Sequence, residues 1–415
     1  MTARFNYSKI FLLGFGFFGV SVLNGMYNAF VPVFLQDKFG LAPAFIGFFM
    51  TLDNIAALLV QPPVGVWSDK IRTPIGRRMP FILVGAPISA VAFGLIPIAA
   101  ILPFFVACTS SFFLAMAFWR TPVIALMADI TPSEKRSQAN GIINFMGGIG
   151  GIIAFLGGSA LYKLNPTYPF WVGSGLVIIS AILVYLFIKE PAQYETNEAQ
   201  PNMIESLREV VNDKDKSALR ILLAIFFWFI GFTAIEAFFT LYAKNHLGMP
   251  EADGSRMLGH LSLFFVLFAL VSGFIGARVG RRVTILAGII MLGTLIFRIY
   301  ITPVATLVIV LTKLPVLGEI PVISIFLMLA GIAWALININ SLPMVVDMTN
   351  AARIGTFTGL YYLFSTLSAI AGPNVNGWII QATGNNYNMT MLIAPVFLAI
   401  AFLMMMGVKR GEASR

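Results

Sequence analysis

The chain has 415 residues, of which 58% are hydrophobic and 11% are charged. Soluble globular domains carry about 25% charged residues, so this composition excludes a protein whose whole surface faces water. The formal net charge of +9 would suit a nucleic-acid partner, but the basic residues lie in short loops between apolar segments, which argues against one. The composition therefore predicts an all-α, polytopic membrane protein.

Apolar segments long enough to cross a bilayer recur along the whole chain. The first begins near Lys9 and continues past Phe30, which is too long for a cleaved signal peptide. The single cysteine, Cys108, lies in an apolar segment, and we interpret it as a small buried hydrophobic residue. We expect twelve helical spans near residues 9–35, 43–67, 79–101, 104–128, 138–162, 168–188, 219–243, 257–278, 283–303, 321–346, 354–378 and 388–408.

Lysine and arginine are distributed unevenly among the loops. Most of the 27 basic residues fall in alternate loops and at both termini, on one side of the expected membrane. The basic residues of the opposite loops are Lys38, Lys163, Lys244, Arg256 and Lys313. Because the basic side of a polytopic protein is the cytoplasmic side, we expect both termini in the cytoplasm and the spans in a bacterial inner membrane.

Residues 190–218 form the only long polar segment between two expected spans. Within it, Met203–Val211 has apolar residues at helical spacing, which predicts an amphipathic helix on the cytoplasmic surface. We therefore expect an N-terminal six-helix bundle over 1–189, a cytoplasmic linker over 190–218 and a C-terminal six-helix bundle over 219–415.

The two expected bundles share a sequence repeat. The matched elements are Gly76-Arg77-Arg78 with Gly280-Arg281-Arg282, Asp129 with Asp347, and Gly141 with Gly359. The number of residues between matched positions is larger for the aspartates than for the Gly-Arg-Arg elements. We therefore expect extra residues in the external segment 302–320, as a longer loop or a short helix. Such repeats are typical of secondary transporters, which bind substrate between the repeats near the middle of the membrane. The alternative is that similar topological demands produce similar loops.

Two sequence blocks resemble a known transporter family. The first is Gln61-Pro62, Gly65, Ser68-Asp69 and Gly76-Arg77-Arg78 followed by Pro80-Phe81-Ile82; the second is Pro122, Ala125-Leu126-Met127-Ala128-Asp129, Arg136 and Ala139-Asn140-Gly141. The fold-level resemblance is to the major facilitator superfamily. Within it, the blocks look like the sucrose:proton symporters and their bacterial relatives, which are close to the glycoside–pentoside–hexuronide:cation symporters. One position departs, because the plant-type pattern has an arginine at Ile124, whereas Arg120 lies one turn earlier on the same helix face.

This resemblance implies twelve helices in two pseudo-symmetric six-helix bundles. It also implies proton-coupled symport of a sugar, a disaccharide or glycoside, by alternating access; sodium-coupled symport and proton-driven export are the alternatives. We expect a monomer in a lipid bilayer with a sugar as its small-molecule partner, no nucleic acid, and no cofactor or metal beyond the coupling proton or sodium ion. A membrane enzyme is disfavoured because no span carries a histidine or cysteine cluster, and a sensor because an output domain is lacking.

Charged side chains deep in a span cost about 2.5–3.5 kcal/mol on insertion scales, so they predict a functional cavity. Asp53 lies in the middle of the second span and is the first candidate for the proton-coupling carboxylate, with Arg120 modulating it and contacting substrate. A permanent salt bridge between the two is the alternative. Glu236 in the seventh span is the second candidate, either as a proton site or as a hydrogen-bond partner of sugar hydroxyls. The alternative is a structural hydrogen bond between helices. The resemblance adds Asp129, because sucrose symporters carry a functional aspartate at the matching position.

Amide and aromatic side chains inside apolar spans predict the sugar site. Amides both donate and accept hydrogen bonds, and aromatic rings suit the C–H face of a pyranose. About half of these residues are expected only to join helices. The substrate-site candidates are Asn24, Tyr27, Asn28, Asn54, Arg120, Asn144, Glu236, Trp334, Asn338, Asn340, Tyr361 and Tyr362.

Acidic and basic residues cluster at the basic ends of the spans, and we interpret them as a cytoplasmic gate of ion pairs that parts in one transport state. The aspartates that end the fourth and tenth spans are repeat partners, and an arginine follows each within two helical turns. The alternatives are helix-end capping for the aspartates and attachment of the loop at 70–78 to anionic lipid. The gate residues are Gly65, Asp69, Arg77, Arg78, Asp129, Arg136, Asp347 and Arg353.

Overall fold

The computed structural model describes residues 7–131, 136–190, 203–349 and 353–412. Over these residues the chain is predominantly helical and divides into two compact units. Unit 1 comprises Met1–Leu41 and Leu52–Glu195, and unit 2 comprises Ala42–Thr51 and Thr196–Arg415. The all-α membrane fold predicted from the sequence is confirmed.

Unit 1 contains seven helices among the described residues. Three of them, α4, α5 and α8, carry a proline in the first turn, where the missing N–H leaves no hydrogen bond unmade. The helices are α1 (Tyr7–Asp37), α3 (Leu52–Lys70), α4 (Met79–Leu95), α5 (Leu102–Ile130), α6 (Arg136–Ile152), α7 (Gly158–Leu164) and α8 (Tyr168–Phe187). A 3₁₀ turn extends α4 over Ile96–Ile98, and a π-helical segment over Ile153–Gly157 joins α6 to α7.

Aromatic side chains fill much of the core of unit 1. The Phe30 ring of α1 stacks on Tyr162 of α7 at 4.4 Å between ring centroids. Phe34 and Phe93 both contact Phe170 at the start of α8, at 5.4 and 4.9 Å. These contacts join α1, α4, α7 and α8 into one packed body, since aromatic pairs at such distances add to the packing energy.

Unit 2 contains nine helices and one β-hairpin among the described residues. Helix α10 packs against α15 and α16, α11 packs against α14, and α12 packs against α14 and α16. The elements are α2 (Pro43–Phe49), α9 (Met203–Asn212), α10 (Ser217–Asn245), α11 (Glu251–Val279), α12 (Arg281–Ile301), α13 (Val304–Leu307), β1 (Val310–Leu314), β2 (Gly318–Pro321), α14 (Val322–Val346), α15 (Ile354–Ala382) and α16 (Met389–Met406).

The second expected span is interrupted by a turn at Met50 and Thr51, between α2 and α3. Helix α2 packs on α15 within unit 2. Gly47 of α2 lies against the Pro373 carbonyl, and Gly377 of α15 lies against the carbonyl of Pro43. This reciprocal contact of glycine with backbone allows the closest helix approach, as in other membrane helix pairs.

The extra segment expected at 302–320 contains the short helix α13 and then the antiparallel hairpin β1–β2, which pairs Val310 with Pro321 and Leu314 with Gly318. The hairpin turn is held on α11, because His260 Nε2 donates to the Leu317 carbonyl at 3.0 Å. The hairpin itself was not predicted from the sequence, although the location of the additional residues was.

Eleven helical segments among the described residues are long and apolar enough to cross a membrane, with α2 and α3 counted together as Pro43–Lys70. They coincide with eleven of the twelve expected spans. The remaining span corresponds to α15, which has 29 residues but includes many threonine, serine and asparagine residues. Its length suffices for a span, and its polarity lowers its hydropathy.

Candidate functional site

The break in the second span places Asp53 in the first turn of α3. Its carboxylate is partly buried and accepts a hydrogen bond from the Asn54 side-chain amide at 2.7 Å. Arg120 of α5 and Tyr27 of α1 both lie within electrostatic range of this carboxylate. The structure thus brings four sequence-predicted residues from three helices together in unit 1, around one membrane-embedded charge.

Tyr27 contributes a polar group to this site from the core of α1. Its side chain is buried, and its hydroxyl has no hydrogen-bond partner among the residues the structure describes. The ring packs edge-on against Phe113 of α5 at 4.8 Å. Asn24 lies about one turn before Tyr27 and Asn28 directly follows it; both asparagines are partly buried, whereas Asn144 of α6 is exposed.

The second predicted carboxylate, Glu236, lies on α10 in unit 2 and is partly buried. One turn before it, Phe232 stacks face to face on Trp334 of α14, with ring centroids 3.9 Å apart. Phe229 of α10 meets the Trp334 ring edge-on at 5.2 Å and contacts Tyr361 of α15 at 6.5 Å. The sequence reasoning missed the two phenylalanines, although their spacing to Glu236 places all three on one helix face.

The remaining sugar-site candidates of unit 2 have different environments. Asn340 is buried, and its amide donates to the Ser272 hydroxyl and to the Leu336 carbonyl, both at 3.0 Å. Asn340 therefore agrees with the expectation that some of these amides only join helices, in this case α14 to α11. Asn338 is partly buried, and Tyr362 has 52% of its surface exposed.

The first arginine network comprises Ser68, Asp69, Arg77, Arg78 and Asp129, all in unit 1. Both arginines are buried and bind the same carboxylate: Arg77 Nη2 donates to Asp129 Oδ1 at 2.7 Å, and Arg78 Nε donates to Asp129 Oδ2 at 3.0 Å. Arg78 also donates to Asp69 and to the Ser68 hydroxyl. The network ties the end of α3 and the following loop to the end of α5.

A glutamate missed by the sequence reasoning supports this network. Glu190, just after α8, accepts hydrogen bonds from the backbone N–H groups of Arg77, Arg78 and Met79 at 2.8, 2.9 and 2.7 Å. Its carboxylate thereby caps the start of α4, where unpaired N–H groups and the helix dipole favour a negative charge. Gly76 precedes these groups with φ +110°, a conformation that glycine adopts without a steric penalty.

The second arginine network repeats this arrangement in unit 2. Arg281 pairs with Asp347 at the end of α14. Glu412 accepts hydrogen bonds from the backbone N–H groups of Arg281 and Arg282 at 2.8 and 2.9 Å, and Gly280 has φ +111°. The sequence repeat therefore corresponds to a repeated three-dimensional arrangement of glycine, arginine, aspartate and glutamate.

The other gate candidates lie outside these two networks. Arg353 pairs with Glu209 of the amphipathic helix α9 at 2.6 Å, so its ion pair is with the linker and not with Asp347 of the preceding turn. Gly65 faces Thr121 of α5. Arg136 begins α6, and its side chain lies outside the described residues.

Across the described ranges, no cluster of three or more histidine, cysteine, aspartate or glutamate side chains could hold a metal ion.

Comparison with known proteins identifies one family over most of the chain. A family model described as the Major Facilitator Superfamily matches residues 13–373. Sucrose transport protein SUC3 of Arabidopsis thaliana is 30% identical over 153 residues, which are 32% of this chain and 26% of that protein. The chain thus aligns with about a quarter of the length of this plant protein. The fosmidomycin resistance protein of Escherichia coli is 25% identical over 416 residues, covering 95% of this chain and 91% of that protein.

Solved structures that share the fold include the following two. The first is a bacterial homologue of the human lysosomal transporter Spinster, in an inward-facing and occupied conformation. Its TM-score is 0.76 at 14% identity, and the match covers 98% of this chain and 97% of that chain. The nucleoside transporter NupG has a TM-score of 0.75 at 17% identity, over 97% of this chain and 99% of its own. At these identities, the similarity concerns the fold alone.

Proposed function

The chain belongs to the Major Facilitator Superfamily, and from that premise we propose that this membrane transporter moves a sugar together with protons by alternating access. The observation that carries the proposal is the cluster of Asp53, Asn54, Arg120 and Tyr27 in unit 1. A carboxylate inside a membrane span is costly unless it serves a function. Asp53 is suited to load a proton when substrate binds and to release it on the opposite side.

Arg120 gives this cluster a means of coupling. When Asp53 is ionised, the guanidinium is attracted to it; when Asp53 is protonated, the same donors become available to a substrate hydroxyl. Protonation and sugar binding would then favour one another. Glu236 is the second proposed proton site, and Asp129 is the third, with a gate role favoured for Asp129 because two arginines bind its carboxylate.

A sugar is proposed as substrate for two reasons. The residues aligned with the sucrose transport protein support it over a limited part of the chain. In unit 2, Trp334, Tyr361 and Glu236 combine aromatic surface with a hydrogen-bonding carboxylate, the chemistry that pyranose rings require. In unit 1, Asn24 and Asn28 offer amide groups on α1.

Proton-driven export of a small organic compound is the second candidate function. It is supported by the fosmidomycin resistance protein, whose similarity extends over 95% of this chain. The same cluster around Asp53 would serve, since export by proton exchange also needs a carboxylate that alternates between protonation states. Under either function, the positive-inside pattern favours cytoplasmic termini in a bacterial inner membrane, and we expect a monomer.

Transport into proteoliposomes tests the proposal. Labelled disaccharides and glycosides are offered under imposed proton or sodium gradients, and amphiphilic drugs under the reversed proton gradient. We expect proton-driven sugar uptake that Asp53→Asn abolishes, while sugar counterflow, which needs no net proton movement, persists. Asp37→Asn, at the exposed end of α1, is the matched control and should transport normally. Unchanged proton-driven uptake in Asp53→Asn would exclude this coupling residue, and uptake of drugs alone would favour the exporter.

A further inference from the structure

A groove between α4 and α5 in unit 1 is used by neither the proposed proton site nor the proposed sugar site. Its volume is about 450 Å³. Two small buried side chains, Ala92 of α4 and Cys108 of α5, form its floor. The larger side chains of Ile88, Val91 and Phe104 line its edges and are exposed. The groove therefore results from small residues facing one another where two helices pack, with larger residues on either side.

The surroundings of this groove are apolar along both helices. No Asp, Glu, Lys, Arg or His occurs from Pro80 to Trp119, a stretch that contains most of α4 and the first half of α5. On α4, the exposed residues Val84, Ile88 and Val91 recur at helical spacing. A helix face that is exposed, apolar and uncharged within a span contacts hydrocarbon and not water. The groove is therefore open to the acyl-chain region of the bilayer.

The groove lies in the part of α4 that leads to the external side. Helix α4 begins at the basic side, which the charge pattern assigns to the cytoplasm, and the groove starts at Pro87 in the middle of the helix. At its outer end, Trp171 of α8 donates its indole N–H to the Gly94 carbonyl at 3.2 Å. The Lys38 amine donates to the Pro97 carbonyl, in the 3₁₀ turn that follows α4. Tryptophan and lysine at the end of a span mark the boundary between hydrocarbon and water, so the groove is at the depth of the external leaflet.

We propose that this groove binds one acyl chain of a glycerophospholipid from the external leaflet. The chain lies between the two helices against Ala92 and Cys108, and its ester end reaches the level of Trp171. The bilayer supplies this occupant, and the apolar lining offers it van der Waals contact at the floor and at both walls. This contact distinguishes a bound chain from the chains that only touch the convex surface of the spans. The transported substrate plays no part in the binding.

Photo-crosslinking in proteoliposomes tests the site. The probe is a phosphatidylethanolamine with a diazirine in the middle of one acyl chain, and mass spectrometry of peptides locates the products. In the wild type we expect crosslinks concentrated at 87–95 and 104–111. Ala107→Trp fills the groove from an exposed lining position and should remove these crosslinks. Leu114→Trp, the matched control, adds bulk to the same exposed face of α5 about two turns away, outside the groove, and should leave them unchanged.

Thermal melting in detergent separates loss of binding from misfolding. Dioleoyl phosphatidylethanolamine should raise the melting temperature of the wild type and of Leu114→Trp, because a bound chain stabilises the native state by mass action. The shift should be lost in Ala107→Trp. Ser111→Leu, a smaller filling substitution at a second exposed lining position, should also reduce both the shift and the crosslinks.

Three outcomes would overturn the proposal. Uniform crosslinking along the exposed face of α5, including the turn around Leu114, would show that lipid only surrounds the spans. Unchanged crosslinks in both Ala107→Trp and Ser111→Leu would show that the chain lies elsewhere. A dimer that native mass spectrometry detects in the wild type and not in Ala107→Trp would assign the groove to a second copy of this chain.

Discussion

The two arginine networks share one plan and differ in how tightly they are built. In unit 1, the side chains of Arg77 and Arg78 are 9% and 5% exposed, and both bind Asp129, which is 12% exposed. In unit 2, Arg281 binds Asp347, and these side chains are 20% and 38% exposed. The second arginine of that repeat, Arg282, instead donates to the Met406 carbonyl at 2.6 Å.

This difference shows that a sequence repeat can preserve backbone geometry while changing the strength of the interaction. Gly76 and Gly280 have nearly the same φ, and a glutamate binds the following N–H groups in both units. Only the side-chain pairing diverges. Buried ion pairs are costly to break, whereas exposed pairs contribute little to stability. We therefore expect the first arginine network to contribute more to the free energy of unfolding than the second.

The largest expected effect comes from removing the central aspartate of each network. Asp129→Asn leaves two buried arginines without their shared carboxylate and should lower the free energy of unfolding by about 3–5 kcal/mol. Asp347→Asn, the matched change in unit 2, should cost about 1 kcal/mol or less. Unfolding titrations in mixed detergent–SDS micelles measure both. Equal losses in the two variants would contradict the difference between the networks.

A smaller effect is expected from the two glutamates. Glu190→Gln keeps the side-chain shape but removes the negative charge from three N–H groups at the α4 N-terminus, which should cost about 1 kcal/mol. Glu412→Gln affects two such groups in an exposed position, so its effect should be smaller. The same titrations give the result, and a larger loss at Glu412 would reverse the proposed order.

The smallest effect concerns an ion-pair cluster in unit 2. Arg410 binds Asp213 and Asp215 at 2.8 Å each. Its hydrogen bond holds the pKa of Asp213 below the ordinary value, and hydrogen bonds from Ser217 do the same for the pKa of Asp215. The resulting stabilisation is present above the unfolded pKa of about 3.9 and is lost as the pH falls through the lowered pKa.

Arg410→Gln tests this pH dependence. The variant should melt slightly below the wild type at neutral pH, and the difference should vanish as the pH falls below the lowered aspartate pKa values. Thermal melting over a pH series in detergent measures it, with Arg208→Gln on α9 as the control for loss of one surface charge. A difference that grows toward acid pH would rule out this assignment.

The long apolar runs made most of the fold predictable from the sequence. Eleven expected spans coincide with observed membrane-length segments, because about 20 apolar residues suffice to define a spanning helix. The interruption at Met50 and Thr51 gave no such signal, since apolar residues continue on both sides of it. The hairpin at 310–321 was also missed, because its strands have only five and four residues and show no alternation of apolar and polar side chains.

The candidate site was predictable in part, for a similar physical reason. Asp53 and Glu236 stand out because charge is rare inside a span. The repeat matched the paired arginines and the aspartates Asp129 and Asp347 of the two networks. The roles of Glu190 and Glu412 depend on contacts 111–113 and 130–131 residues away in the chain, which no local pattern encodes. The pair between Arg353 and Glu209 spans 144 residues and was unpredictable for the same reason.

The assignment of α2 to unit 2 has a mechanical consequence for Asp53. The chain passes from unit 1 to unit 2 after Leu41 and returns after Thr51, so Asp53 is the second residue beyond the return. Any displacement of one unit against the other must either rotate the backbone at these two junctions or separate α2 from α15. A rotation at the second junction would therefore change the backbone within one helical turn of the Asp53 carboxylate.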